Sequence, residues 1–90
     1  MNTLHIIIKG NVQGVGFRAT AEHYANKLEI NGSVKNLANG SVEIYAQGEQ
    51  EALDPFVEGL KEDRGLAKIE HVAVEECQVQ KKYNQFQIIF

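Results

Sequence analysis

Cysteine is nearly missing from this sequence: Cys77 stands alone in 90 residues. A lone thiol excludes an intramolecular disulfide and fits a reducing compartment, so a cytoplasmic location is expected. An excess of positive charge is also missing. Nine Lys and Arg face twelve Asp and Glu, a net charge of −3 with histidine neutral. Nonspecific nucleic-acid binding needs a basic face, and this balance argues against it. No apolar run approaches the roughly 18–20 residues of a membrane-spanning helix. The N-terminus lacks the basic region, apolar stretch and small-residue cleavage site of a secretory signal. Linkers, low-complexity stretches and internal repeats are absent, and proline occurs once, as Pro55. What remains is 43% hydrophobic and 23% charged, an ordinary globular composition suited to one domain over residues 1–90. A domain of this size buries roughly 60–65% of its unfolded-chain surface, enough for one modest core. It leaves no room for a cofactor or lid domain, so any site must come from one or two loops.

The hydrophobic period changes along the chain, and the changes outline the fold. Leu4 to Lys9 is short and rich in β-branched residues, which predicts a strand. Ile7 adds apolar character on its second face, as in a central strand. A glycine-rich loop, Gly10 to Gly16, follows. From Phe17 the period is helical, with Phe17, Ala21, Tyr24, Ala25 and Leu28 on one face. Lys27, Glu29 and Asn31-Gly32 supply its polar end and a turn or C-cap. Ser33 to Leu37 predicts a short strand, Asn39-Gly40 a two-residue hairpin turn, and Ser41 to Gln47 the returning strand. On that strand Val42, Ile44 and Ala46 point inward, with Glu43, Tyr45 and Gln47 outward. Glu49 to Arg64 predicts a second helix with a stripe of Ala52, Leu53, Phe56, Val57 and Leu60, closed by Gly65. Pro55 lies too deep for its first turn and predicts a kink or a redefined start. Ile69 to Val79 reads as a strand, and Phe86, Ile88 and Phe90 alternate against Gln85, Gln87 and Ile89 in a last one. The order is β-α-β-β-α-β plus a short C-terminal strand. It predicts an α+β ferredoxin-like sandwich, an antiparallel sheet with two helices on one face.

The segment that carries chemistry is Gly10 to Arg18, GNVQGVGFR, which joins a strand to the start of a helix. Backbone N–H groups there lack helical partners, and the helix dipole is positive. Glycines let several N–H groups converge on one point, the geometry of an anion cradle. Arg18 on the first turn adds a planar, permanently charged fork that matches phosphate oxygens. The plainer alternative is a tight glycine turn with a solvated arginine. No Gly-Lys-Ser/Thr completes a nucleotide P-loop. Gly14-Val15-Gly16-Phe17-Arg18-Ala19 formally matches a dinucleotide pattern, but 90 residues lack the repeated βαβ units, and Asn36 stands where an acidic ribose ligand belongs. Asn36 itself lies on a strand, against its propensity, just before the hairpin. It either begins the turn or holds a water with its amide.

Together the two segments resemble the acylphosphatase family. GNVQGVGFR is similar to the family signature G-x-V-Q-G-V-x-F-R. GSVKNLANGSVE, from Gly32 to Glu43, resembles the second signature, G-x-V-x-N-x-x-x-G-x-V-E. Asn84-Gln85-Phe86-Gln87-Ile88 is similar to the family's closing aromatic strand, so the resemblance covers nearly the whole chain. It implies that Arg18 binds phosphate, that the backbone of Gln13, Gly14, Val15, Gly16 and Phe17 forms the phosphate loop, and that Asn36 orients the attacking water. It further implies metal-free hydrolysis of an acyl phosphate to a carboxylate and inorganic phosphate, and a monomer is the simplest expectation for the chain. Pro55 and Leu37, which has no hydroxyl, depart from the family pattern.

No metal or cofactor is expected, because His5, His23 and His71 have no ligand spacing. His5 is expected on a sheet face, His23 on the surface, and Tyr24 and Phe56 in the core, while Cys77, Glu43, Glu75 and Glu76 have structural or solvated roles. The expected partners are a small acyl phosphate and inorganic phosphate, with no nucleic acid and no membrane. Two other functions compete. One is a phosphate-binding module of the kind found in larger carbamoyl-transfer proteins. A sequence ending at Phe90 without zinc fingers or a second domain favours the free enzyme instead. The other is RNA binding, which on this topology needs aromatic residues on both central strands, where only Tyr45 is available.

Overall fold

The computed structural model describes residues 1–62, 67–78 and 81–90. The elements run β1 (Asn2–Asn11), α1 (Phe17–Lys27), β2 (Asn31–Asn36), β3 (Val42–Gly48), α2 (Gln50–Leu60), β4 (Lys68–Cys77) and β5 (Phe86–Ile89). One sheet has the order β4-β1-β3-β2-β5. Strands β1 and β2 are parallel with β3 between them, so α1 crosses over the sheet to join them. Helix α2 makes the equivalent crossing from β3 to β4. Both helices therefore cover one face, the ferredoxin-like arrangement expected from the sequence.

Alternation along the strands decides what is buried. On β1, Leu4, Ile6 and Ile8 are buried while the odd-numbered residues are half-covered or exposed, and Ile44, Val42 and Ala46 pair with them across β3. Ala21 and Ala25 of α1 and Leu53, Phe56 and Leu60 of α2 close this layer. Small alanines let α1 lie close to the sheet, and Phe56 fills space against Phe86 of β5 at 6.1 Å between ring centroids. Tyr24 packs only partly against the core.

The last strand departs from expectation. Three strand pairs are antiparallel, but β5 runs parallel to β2, with Gly32 opposite Phe86 and Val34 opposite Ile88. The sheet is therefore mixed. The reason lies on its uncovered face. Gln47 was expected outward, yet it is buried because its Nε2 donates to the Lys81 carbonyl (2.8 Å) and its Oε1 accepts from the Tyr83 amide (2.9 Å). These bonds hold the segment after β4 across the sheet. The chain then enters the far edge in the direction of β2.

Smaller differences have local causes. Gly10 does not end β1 but continues it, with φ 138° beside a register shift against β4. A Cβ there would lie 2.2 Å from the Lys68 carbonyl oxygen, so glycine admits the close approach of β4. Helix α1 is closed not at Asn31-Gly32 but by Glu29, with φ 58°, after which Ile30 donates to the Ala25 carbonyl (2.8 Å). The hairpin loop has three residues rather than two. Leu37 N–H donates to the Ser41 carbonyl, and Gly40 N–H to the Leu37 carbonyl, leaving Ala38, Asn39 and Gly40 in the loop. Helix α2 starts at Gln50 and runs through Pro55, which is exposed, without resetting its start. The expected helix end at Arg64 and Gly65 and the expected strand end at Val79 lie outside the described residues. No helix among the described residues is long and apolar enough to cross a membrane.

Candidate active site

The loop between β1 and α1 is anchored at alternate positions. Val12 is buried, Val15 packs against the core, and Phe17 is buried at the first position of the helix. Between these anchors Gly14 and Gly16 have φ of 74° and 80°, while a Cβ at either would meet no atom within 4 Å. Backbone conformation, and not crowding, requires glycine at both. Gly16 is the N-cap of α1 and offers no side chain to its amides, and the first turn has no acidic residue. Thr20 N–H is the first amide to bond back, to the Gly16 carbonyl at 3.1 Å. The N–H groups of Phe17, Arg18 and Ala19 therefore have no helical acceptor and point out of a positive helix end.

Beside this helix end is a cleft of about 250 Å³. Gly14, Gly16, Phe17, Arg18 and Asn36 line it, with Val12, Ala19, Ile88 and Phe90 as apolar walls. Asn36 reaches it because β2 pairs with β3 through Asn36↔Val42, which puts its side chain on the helix-covered face at the end of the strand. The Asn36 Oδ1 atom is buried without a hydrogen-bond partner. Such orphaned acceptors are rare, since leaving one unsatisfied costs roughly 1–3 kcal/mol. Arg18 lies across the opening. Its Nη1 makes a long hydrogen bond to the Ile89 carbonyl (3.4 Å), and its guanidinium stacks on the Phe90 ring at 4.8 Å from the centroid. It is the sole ionisable side chain among the described lining residues.

Two residues of the expected phosphate loop do not line the cleft. Val15 turns into the core. Gln13 turns to the hairpin, where its Nε2 donates to both the Leu37 and the Ser41 carbonyls at 2.8 Å. Its side chain thus braces the loop against the segment that follows Asn36. Sequence reasoning assigned Gln13 only a backbone role. It also missed Ile88 and Phe90 as walls, although their alternation with Phe86 places all three on one row. The histidines lie elsewhere: His5 Nε2 donates to Glu43 Oε2 (2.8 Å) on the uncovered face of the sheet, and His23 is exposed against Tyr24. Among the described residues no three His, Cys, Asp or Glu side chains are grouped to hold a metal ion.

The acylphosphatase family model matches residues 4–88 of this chain. The chain belongs to the acylphosphatase family. An acylphosphatase of Archaeoglobus fulgidus is 41% identical over 90 residues, covering all of both chains. The crystal structure of acylphosphatase from Bacillus subtilis superposes with a TM-score of 0.95 at 38% identity, again over all of both chains. The HypF structure from T. kodakarensis matches with a TM-score of 0.89 at 32% identity, over all of this chain and 12% of that one. The same fold therefore also forms a small part of a much longer protein. Membership makes this chain a hydrolase acting on acyl phosphates.

Proposed function

We propose that the chain cleaves the carboxyl–phosphate bond of a small acyl phosphate without a metal ion, with the phosphoryl group on the loop amides and Arg18 and the attacking water on Asn36. The observation that carries this reading is that Asn36, whose Oδ1 is buried without a hydrogen-bond partner, lines the same cleft as the helix end and Arg18. An acceptor in that position is complete when a water donates to it. The water's second proton and lone pairs then remain for the reaction.

The chemistry needs little more. The phosphoryl oxygens accept from the amides of residues 13–17 and from the Arg18 fork, which gathers negative charge where it grows in the transition state. Asn36 holds the water in line with the scissile P–O bond. As the water oxygen bonds to phosphorus, that P–O bond breaks and its electron pair leaves with the carboxylate. The conjugate acid of this leaving group has a pKa of roughly 4, so no protein acid is needed. The transition state of phosphoryl transfer is loose and makes weak demands on a base. The water proton passes to a phosphoryl oxygen of the substrate, and inorganic phosphate is released. Positioning and fixed charge do the work that a catalytic His or Asp performs elsewhere.

Hydrolysis of benzoyl phosphate in EDTA tests the assignment. Arg18→Ala is expected to raise KM and lower kcat, with a loss of about 10²–10³ in kcat/KM. Asn36→Ala is expected to lower kcat by about 10² while inhibition by inorganic phosphate stays near wild type. Full activity in Arg18→Ala, or an undiminished kcat in Asn36→Ala, removes the corresponding role. Activity lost in EDTA and restored by Mg²⁺ overturns the metal-free reading.

A further inference from the structure

The cleft is larger than a phosphoryl group requires, and the part beyond the cradle is apolar. The row of Phe86 and Ile88 on β5, continued by Phe90 just past its end, explains how that wall is built. Phe86 is buried against Phe56, Ile88 packs at the core margin, and Phe90 emerges beside the cleft with 99% of its surface exposed. The Phe90 ring stands in solvent, available to a ligand, with the Arg18 guanidinium stacked on it at 4.8 Å from the centroid. One end of the cleft thus binds an anion, and the other presents an aliphatic side chain and an aromatic ring within reach of the same arginine. Pockets that hold small molecules combine such an apolar wall with a few orienting polar groups.

We propose that Ile88 and Phe90 form the acyl subsite, and that Phe90 is the specificity-determining residue, favouring acyl phosphates whose acyl group is aromatic or bulky and apolar. This rests on the proposed placement of the phosphoryl group at Arg18 and the loop. An acyl group extending from a phosphoryl group held there covers the Phe90 ring and the Ile88 side chain. A two-carbon acyl group is too short to cover the ring. A carbamoyl group puts polar N–H groups against it.

The test compares kcat/KM for benzoyl phosphate and acetyl phosphate in wild type, Phe90→Ala, Phe90→Leu and Phe90→Tyr, with inhibition by inorganic phosphate measured alongside. Phe90 is exposed, so these variants keep the fold. Phe90→Ala is expected to lower the benzoyl-to-acetyl ratio about tenfold, Phe90→Leu to lower it less, and Phe90→Tyr to restore it. The ratio isolates the acyl contact. If Phe90→Ala acts only by disturbing the stacked Arg18, both substrates and phosphate inhibition move together with the ratio fixed, and that outcome overturns the subsite. A wild-type ratio in Phe90→Ala overturns it too. If wild type turns over neither substrate, or if Arg18→Ala and Asn36→Ala are fully active, the placement of the phosphoryl group fails first and the subsite falls with it.

Discussion

At the scale of single residues, the site depends on a side chain that never enters it. Gln13 uses both amide hydrogens to hold the Leu37 and Ser41 carbonyls, each at 2.8 Å. Those carbonyls flank the hairpin loop that follows Asn36, so the brace sets the spacing between the anion cradle and the amide oxygen. Gln13→Leu removes the second donor from each carbonyl, since the Ser41 carbonyl keeps the Leu37 N–H and the Leu37 carbonyl keeps the Gly40 N–H, and is expected to cost about 0.5–1.5 kcal/mol of stability, read as a lower urea midpoint. It is also expected to lower kcat roughly tenfold, because small misplacement of a positioned water is costly. Phosphate inhibition should shift much less, since the cradle amides remain. Gln13→Glu should be worse than Gln13→Leu at neutral pH, because it sets a carboxylate against two carbonyl oxygens. That Gly14, Gly16, Arg18 and Asn36 meet at one cleft follows from the order of the elements, which was legible in the sequence, whereas the residues by themselves left a plain turn open and only the family resemblance assigned them roles. The role of Gln13 was not legible. A hydrogen bond across 24 and 28 residues leaves no mark on local periodicity.

At the scale of elements, alternation and helical period located every strand and helix among the described residues, because each buries one face and the burial writes the pattern. The direction of β5 was not legible. A four-residue strand has the same alternation whether parallel or antiparallel, and the deciding bonds come from Gln47 to a distant segment. Pro55 shows the opposite case, in which tertiary packing overrides a strong local signal. Its missing N–H leaves the Glu51 carbonyl without the usual helical donor, yet α2 continues because Leu53, Phe56 and Leu60 are held in the core. Both Glu51 and Pro55 are exposed, so water can serve the carbonyl. Pro55→Ala is therefore expected to stabilise the fold by about 1–3 kcal/mol, the helix-interior preference reduced by the greater freedom of the unfolded chain. Thermal melting followed by circular dichroism checks this. An unchanged or lower midpoint shows that the ring packs usefully where it stands.

At the scale of the whole molecule, the two faces of the sheet have separate work. The helix-covered face ends in the cleft, where the helix end and Arg18 make a locally positive site on a chain of net charge −3. The uncovered face carries a chain of rings. His5 lies 4.7 Å from Tyr45, and Tyr45 lies 6.5 Å from Tyr83 in a stacked arrangement. Burial pushes the Tyr45 hydroxyl above its ordinary pKa, and the electrostatic influence of Glu43, then of Cys77 and Tyr83, adds to the shift. The sign of the consequence follows. A tyrosine raised in the folded state keeps its proton there more tightly than in the unfolded chain, where it titrates near 10.0. Its contribution to stability is complete below that pH and is lost as pH rises through the folded value. Tyr45→Phe cannot ionise and keeps the ring contacts. Urea midpoints measured at rising pH should thus fall more steeply above about pH 10 in wild type than in Tyr45→Phe, with the two curves close together near neutrality. Parallel curves would show that Tyr45 is not coupled to folding. Above that pH the same titration should leave the chemistry at the cleft untouched in the molecules still folded, because Tyr45 pairs with His5 on the uncovered face of the sheet and does not line the cleft.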